Sequence, residues 1–161
     1  VRAVLPGMRE RGGGWLVNVS SLAGLIGIPF QSMYSASKFA IEGWSEALRL
    51  ELAPFGIRVV LVEPGDVKTG FTGNRVRARL AGQRGPYQEA FQRALGVMEA
   101  DEQRGPGPEV VSRAVSAILR SRSPRLRYRV GDAFQCASVG LRHWLPARLV
   151  EWGLGKYYKL A

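Results

Sequence analysis

Residues 16–38, LVNVSSLAGLIGIPFQSMYSASK, decide the fold. WLVNV at 15–19 is a short continuous apolar run, of the kind a parallel sheet covers on both faces. Two serines, Ser20 and Ser21, and a Gly-rich loop follow it. A helix is then predicted from about Gln31 or Ser32 to about Ala53, stopped by Pro54 and Gly56. Tyr34 and Lys38 stand four residues apart on that helix. They share one face, so the phenol and the ammonium can reach the same small volume.

Working outward, IRVVLV at 57–62 is a second apolar strand, and the EPGD at 63–66 breaks it. Strand, long helix and strand with short connections predict a right-handed parallel crossover. In an open parallel sheet the ligand crevice lies at the carboxyl ends of the strands, which puts Ser20, Ser21 and residues 64–69 on one rim. Residues 69–108 carry two helix-like pieces, near 73–80 and 86–99, between Gly-rich breaks, and are expected to cover the crevice. A helix opening at Pro108-Glu109 should run to about Leu119, followed by a short last strand at 128–130 and helices at 133–145 and 147–157, divided by Pro146. The organisation is thus one unit over 1–161: a core at 1–70, a substrate lid at 71–108, and C-terminal helices with the last strand at 109–161.

The helix at 31–53 has apolar residues (Met33, Ala36, Phe39, Ala40, Ile41, Trp44, Ala47, Leu48, Leu52) on more than one stripe. A helix packed only on a sheet has one wet face. A second copy of the same helix is the simplest partner for the excess.

The net charge of +10 comes from 23 basic and 13 acidic residues, and only Lys38, Lys68, Lys156 and Lys159 are lysines. The basic residues are scattered, densest at 120–129, with no nucleic-acid-binding signature beside them, so they are read as solvated surface and no nucleic-acid partner is expected. The lone Cys136 makes an intrachain disulfide impossible and favours a reducing, cytoplasmic setting. No apolar run approaches the roughly 18–20 residues that span a bilayer. The sole histidine, His143, has no G-x-S-x-G serine to serve, and neither a zinc site nor serine hydrolysis is supported. The glycosylation sequon Asn18-Val19-Ser20 falls at a buried strand end. The segment 139–161 mixes Trp144, Trp152, Tyr157 and Tyr158 with Arg142, Arg148, Lys156 and Lys159. It suits docking on the cleft or on a partner subunit and, as the lesser alternative, a peripheral membrane contact. The chain opens on Val1 within what reads as the tail of an amphipathic helix at 1–11, as expected of the C-terminal portion of a longer protein.

Three groups of residues together resemble the short-chain dehydrogenase/reductase family: Asn18-Val19-Ser20-Ser21, Tyr34-Ser35-Ala36-Ser37-Lys38, and Pro64-Gly65-Asp66-Val67-Lys68-Thr69. The resemblance covers nearly all of residues 1–70 and implies an α/β fold, the C-terminal part of a Rossmann-like doubly wound parallel sheet. It also implies an oxidoreductase passing a hydride between NAD or NADP and an alcohol or carbonyl. On it, Tyr34 would be the general acid/base, and Ser21, thirteen residues upstream, would hold the substrate oxygen and stabilise developing charge. An ordinary phenol has a pKa of about 10; the Lys38 cation and the positive nicotinamide would both favour phenolate. Lys38 would also bond the nicotinamide ribose. Pro64 and Gly65 would let the backbone approach the cofactor, Val67 would offer its amide to the carboxamide, and Thr69 would cap that group or a phosphate. The family's long Tyr/Lys helix commonly pairs subunits. The apolar lid and aromatic tail suggest a hydrophobic substrate, such as a steroid, retinoid or long-chain ketone. The family's Gly-rich dinucleotide turn and the asparagine of its proton relay have no counterpart in these 161 residues. The alternative is a truncated, non-catalytic domain of this family serving as a binding or scaffold module.

Overall fold

The computed structural model of the chain describes residues 1–71, 73, 74, 76 and 85–160. Its elements are helix α1 (Leu5–Glu10), strand β1 (Gly14–Val19), helix α2 (Ser32–Leu52), strand β2 (Ile57–Pro64), helices α3 (Gln88–Arg104) and α4 (Glu109–Arg120), strand β3 (Arg127–Val130), and helices α5 (Ala133–Leu141) and α6 (Ala147–Tyr157). The three strands are parallel in the order β1-β2-β3. Gly14 to Val19 pair in step with Ile57 to Val62, and Leu61 to Pro64 with Arg127 to Val130.

β2 is the centre. Successive side chains of a strand point to opposite faces, and its two sets meet two different helices. Ile57 and Val59 join Leu16, Leu48 and Leu52 on the α2 side, while Val60 and Val62 join Ile118 of α4 on the other. Residues 59–63 of β2 have 0% exposure. Burying each of the four apolar ones contributes about 1.5–3 kcal/mol. β1 departs from its predicted burial on both faces: only Leu16 is buried, and Val19 is exposed. It has one lateral partner among the described residues, and α1, which buries none of its own residues, covers it thinly.

The buried face of α2 is more polar than its periodicity suggests. Ser35, Glu42, Ser45, Leu48 and Leu52 turn inward, while Met33, Phe39 and Trp44 remain exposed. Hydrogen bonds explain the serines: Ser35 Oγ accepts from the Ile28 amide at 3.1 Å, and Ser45 Oγ accepts from Asn18 Nδ2 of β1 at 2.8 Å while donating to the Ile41 carbonyl. Arg49 clips the far end, donating to the carbonyls of Val59 and Pro124, each at 2.7 Å.

Other boundaries shift by small amounts. Glu63 and Pro64, expected to break β2, belong to it, because the ladder continues onto Arg129 and Val130. The helix-like piece at 86–99 is α3 and runs on to Arg104; most of the piece at 73–80 lies outside the described residues. The helix expected at 133–145 ends at Leu141 and tightens into a 3-10 turn at Arg142–Trp144 before Pro146.

The α2–β2 connection turns on Gly56, at φ +68°, where an added Cβ would lie 2.5 Å from the Gly12 carbonyl oxygen. Left-handed backbone and lack of space both oppose a side chain there. Gly56→Ala is therefore expected to cost about 1–3 kcal/mol, read as a lowered midpoint in urea unfolding.

Candidate active site

The crevice opens where the sheet rule puts it, at the carboxyl ends of β1 and β2. Ser20 extends the ladder by one bond, its amide donating to the Val62 carbonyl at 2.8 Å. Its side chain is buried, with an Oγ that has no partner among the described residues. Ser21 differs. Its backbone is extended, and its Oγ accepts from the Ala23 amide at 3.1 Å, capping the 3-10 turn Leu22–Gly24, while donating to the Pro64 carbonyl at 3.3 Å. One hydroxyl thus joins the end of β1 to the end of β2.

α2 brings its first turns to the same place. Lys38 Nζ donates to the Val19 carbonyl at 3.1 Å and lies 5.6 Å from the centroid of the Tyr34 ring. Phe71 packs against the other residue of this pair, its ring centroid 6.3 Å from that of Tyr34. Ser37 Oγ donates to the Tyr34 carbonyl at 2.7 Å, so the small residues between Tyr34 and Lys38 serve the backbone and leave the two long side chains forward.

All seven residues singled out from the sequence, Ser21, Tyr34, Lys38, Pro64, Gly65, Val67 and Thr69, line one cavity of about 1030 Å³. Ser21, Tyr34 and Lys38 stand at the strand ends, while Leu22, Ile26, Ile28, Met98, Val111, Val115, Leu149 and Leu154 make much of the lining apolar. Such a space, with few polar groups at one end, suits an apolar ligand held in a fixed orientation.

Residues that sequence reasoning passed over build the roof. Gln135 of α5 accepts from the Asp66 amide at 3.1 Å and donates to Asp66 Oδ2 at 2.6 Å. A Cβ on Gly65 would lie 2.6 Å from Gln135 Oε1 and 3.1 Å from Leu22 Cδ1. Glycine at 65 thus lets α5 and the β1 loop close on the turn, a packing need beyond the cofactor approach expected of it. Thr69 Oγ1 accepts from the Phe71 amide at 3.2 Å. Tyr157 donates to Asp101 Oδ2 at 2.6 Å, Arg93 Nε to the Lys159 carbonyl at 2.8 Å, and Tyr158 packs with Ala94 and Met98, so α6 is fastened to α3. Burial first, and then the bond to Asp101, push the Tyr157 phenol up to about 12; burial also raises that of Tyr158. Both stay neutral at physiological pH. A lone glutamine near the start of an otherwise apolar helix was the available signal for Gln135.

An open parallel α/β sheet with serine, tyrosine and lysine gathered at its carboxyl rim defines a crevice-site α/β protein. The model of the short chain dehydrogenase family matches residues 1–80. The 3-ketodihydrosphingosine reductase of Bacteroides thetaiotaomicron is 43% identical over 159 residues, covering 99% of this chain and 59% of that protein. A short-chain dehydrogenase from Streptomyces avermitilis superposes with a TM-score of 0.71 at 34% identity, over 94% of this chain and 54% of that one. A short-chain dehydrogenase/reductase from Burkholderia phymatum, solved in complex with NAD, gives 0.68 at 28% identity over 89% and 52%. The chain belongs to the short-chain dehydrogenase/reductase family. It spans about half to three-fifths of the length of these relatives.

Ser21→Ala removes both bonds of the hydroxyl. A lost cap of this kind costs about 1 kcal/mol, and guanidinium unfolding should show that loss with an unchanged slope.

Proposed function

We propose that the intact protein is an NAD- or NADP-linked oxidoreductase acting on an alcohol or ketone of a hydrophobic molecule, with a long-chain ketone favoured over a steroid or retinoid. The observation that carries this is the convergence of Ser21, Tyr34 and Lys38 at one end of an otherwise largely apolar cavity. The similarity to a ketone reductase of a sphingosine-type lipid supports the choice of a long chain, and the NAD in the Burkholderia relative supports the cofactor class.

The donor set fits the nicotinamide end of such a cofactor: Lys38, Gly65, Val67 and Thr69 line the same cavity as Tyr34. When bound, the cofactor supplies or accepts the hydride. Tyr34 gives its proton to the substrate oxygen, or takes one from the alcohol in the reverse direction. The Lys38 ammonium, held at the Val19 carbonyl, stabilises negative charge on the phenol and has further N–H groups for a ribose hydroxyl. The Ser21 hydroxyl, whose bond to Pro64 is long at 3.3 Å, turns to the substrate oxygen and holds it as charge develops.

In this reading the described part of the lid, with α3, covers the substrate, and the helices α4 to α6 close the cavity from above. The outward face of α2, with Met33 82% and Trp44 46% exposed, pairs with a second copy. Leu149 lines the cavity and is also exposed beside Trp144, Leu145 and Trp152, close in sequence to Arg148 and Lys156. That surface rests on a membrane from which an apolar substrate enters. Among the described residues no helix is long and apolar enough to cross one.

Tyr34→Phe in the protein expressed from its complete coding sequence should lower kcat/KM about 10²–10⁴-fold with an unchanged melting temperature; retained turnover rejects the acid/base role. Titration with NADH and NADPH separates enzyme from scaffold, since a scaffold saturates with neither. Trp144→Glu with Trp152→Glu should abolish sedimentation with anionic phospholipid vesicles while leaving turnover of a short, soluble ketone intact.

A further inference from the structure

Behind the cavity, on the α2 side of β2, the structure buries two carboxyl groups against each other. Glu63 has 0% exposure and Glu42 5%. Both reach a single donor: Arg127 Nε of β3 lies 2.9 Å from Glu42 Oε2 and 3.2 Å from Glu63 Oε1. The other arm of the guanidinium is spent on Glu46, which is half exposed. One N–H thus faces two acceptors. It aligns with Glu42, and both Glu63 oxygens and Glu42 Oε1 are left without a hydrogen-bond partner among the described residues. An ionised carboxylate in that condition is costly. A proton on Glu63 turns two orphaned acceptors into a donor and an acceptor that satisfy each other.

The charged and titratable groups facing Glu63 are Glu42 of α2, Arg127 and Arg129 of β3, and Cys136 of α5; Glu46 of α2 reaches it only through Arg127. Burial first, and then the charge of Glu42, push the Glu63 carboxyl from an ordinary 4.5 up to about 7, against the opposing pull of Arg127 and Arg129. The location gives the pair its meaning. Glu63 directly precedes Pro64 and Gly65 on β2, and Glu42 lies one helical turn beyond Lys38 on α2. The turn after β1 packs closely on Glu42, since a Cβ on Gly24 would meet Ser20 Oγ at 2.7 Å, the Lys38 carbonyl at 3.1 Å and Glu42 Cγ at 3.2 Å.

We propose that Glu63 is a positioning residue of the site, sharing one proton with Glu42 and thereby locking the strand end that carries Pro64 and Gly65 to the helix that carries Tyr34 and Lys38. The positioning role rests on the acid/base reading of Tyr34 and Lys38; the shared proton does not. Because folded Glu63 holds its proton more tightly than the unfolded chain does, its contribution to stability is complete below pH 4.5 and declines as the pH rises to about 7.

The test compares wild type with Glu63→Gln, which keeps a donor and cannot ionise, and with Glu63→Leu, which keeps volume and loses the bond. Carbon-13 NMR of labelled glutamate side chains should show one carboxyl titrating near neutrality in wild type and missing in Glu63→Gln. The decline in melting temperature between pH 5 and pH 8 should be smaller in Glu63→Gln than in wild type. With cofactor and a ketone, the pH profile of kcat should lose a step near 7 in Glu63→Gln, whereas Glu63→Leu should lower kcat about 10–100-fold at every pH with KM little changed. A Glu63 carboxyl titrating near 4.5, or a melting profile identical in wild type and Glu63→Gln, overturns the shared proton. A proton seen by NMR with kcat profiles that coincide overturns the positioning role. A fully active Tyr34→Phe with the NMR signal intact would instead place the failure in the acid/base assignment and, with it, remove the positioning role.

Discussion

Burial of β2 is the constraint on which the remainder depends. The strand is covered on one face by α2, on the other by α4, and is paired along both edges by β1 and β3. A segment so enclosed cannot slide, because a one-residue slip would send Val60 and Val62 to the α2 side and Glu63 to the α4 side. The position of Pro64 is therefore fixed by apolar packing several residues away. Ser21 takes its bearing from the Pro64 carbonyl, and Gly65 extends the order onto β3 through its bond to the Val130 carbonyl at 2.8 Å.

Polar interactions act on top of that packing and decide fine placement. Ser45 is fully buried yet satisfied through Asn18 and Ile41, and Arg49 crosses from α2 to the carbonyls of Val59 and Pro124. Each such bond contributes about 1 kcal/mol net, less than one buried valine. Their importance is directional, since they set the rotation of α2 about its own axis and so which way Tyr34 and Lys38 point. Where the account does not close, at Glu63 and Glu42, the deficit lies one residue from the Pro64–Gly65 turn and one helical turn from Lys38.

The floor of the site was legible because it is local. Apolar runs at 15–19 and 57–62, the breakers Pro54 and Gly56, and the four-residue spacing of Tyr34 and Lys38 each need only neighbouring residues to be interpreted. The inward face of α2 departs from the periodicity for a physical reason: periodicity weighs hydrophobicity, and Ser35 and Ser45 turn inward because their hydroxyls are paired. Glu63 reads from sequence as part of a Glu-Pro-Gly-Asp break, and only the ladder to Arg129 and the placement of Glu42 and Arg127 from two other elements put it in the strand core. Gln135 carries only a weak local signal, its position near the start of α5, and no local pattern connects it to Asp66.

That last contact joins residues 69 positions apart, and the bond from Tyr157 to Asp101 joins residues 56 apart. The sheet is held differently, by backbone ladders and by a β2 that is buried on both faces. Contacts that bury little apolar surface open before those that bury much. The roof is therefore the part expected to open first, for α6 is held to α3 by a few polar bonds and a small apolar cluster. Partial opening of that kind requires far less free energy than global unfolding. It would open the cavity while leaving the hydroxyl and ammonium below it undisturbed.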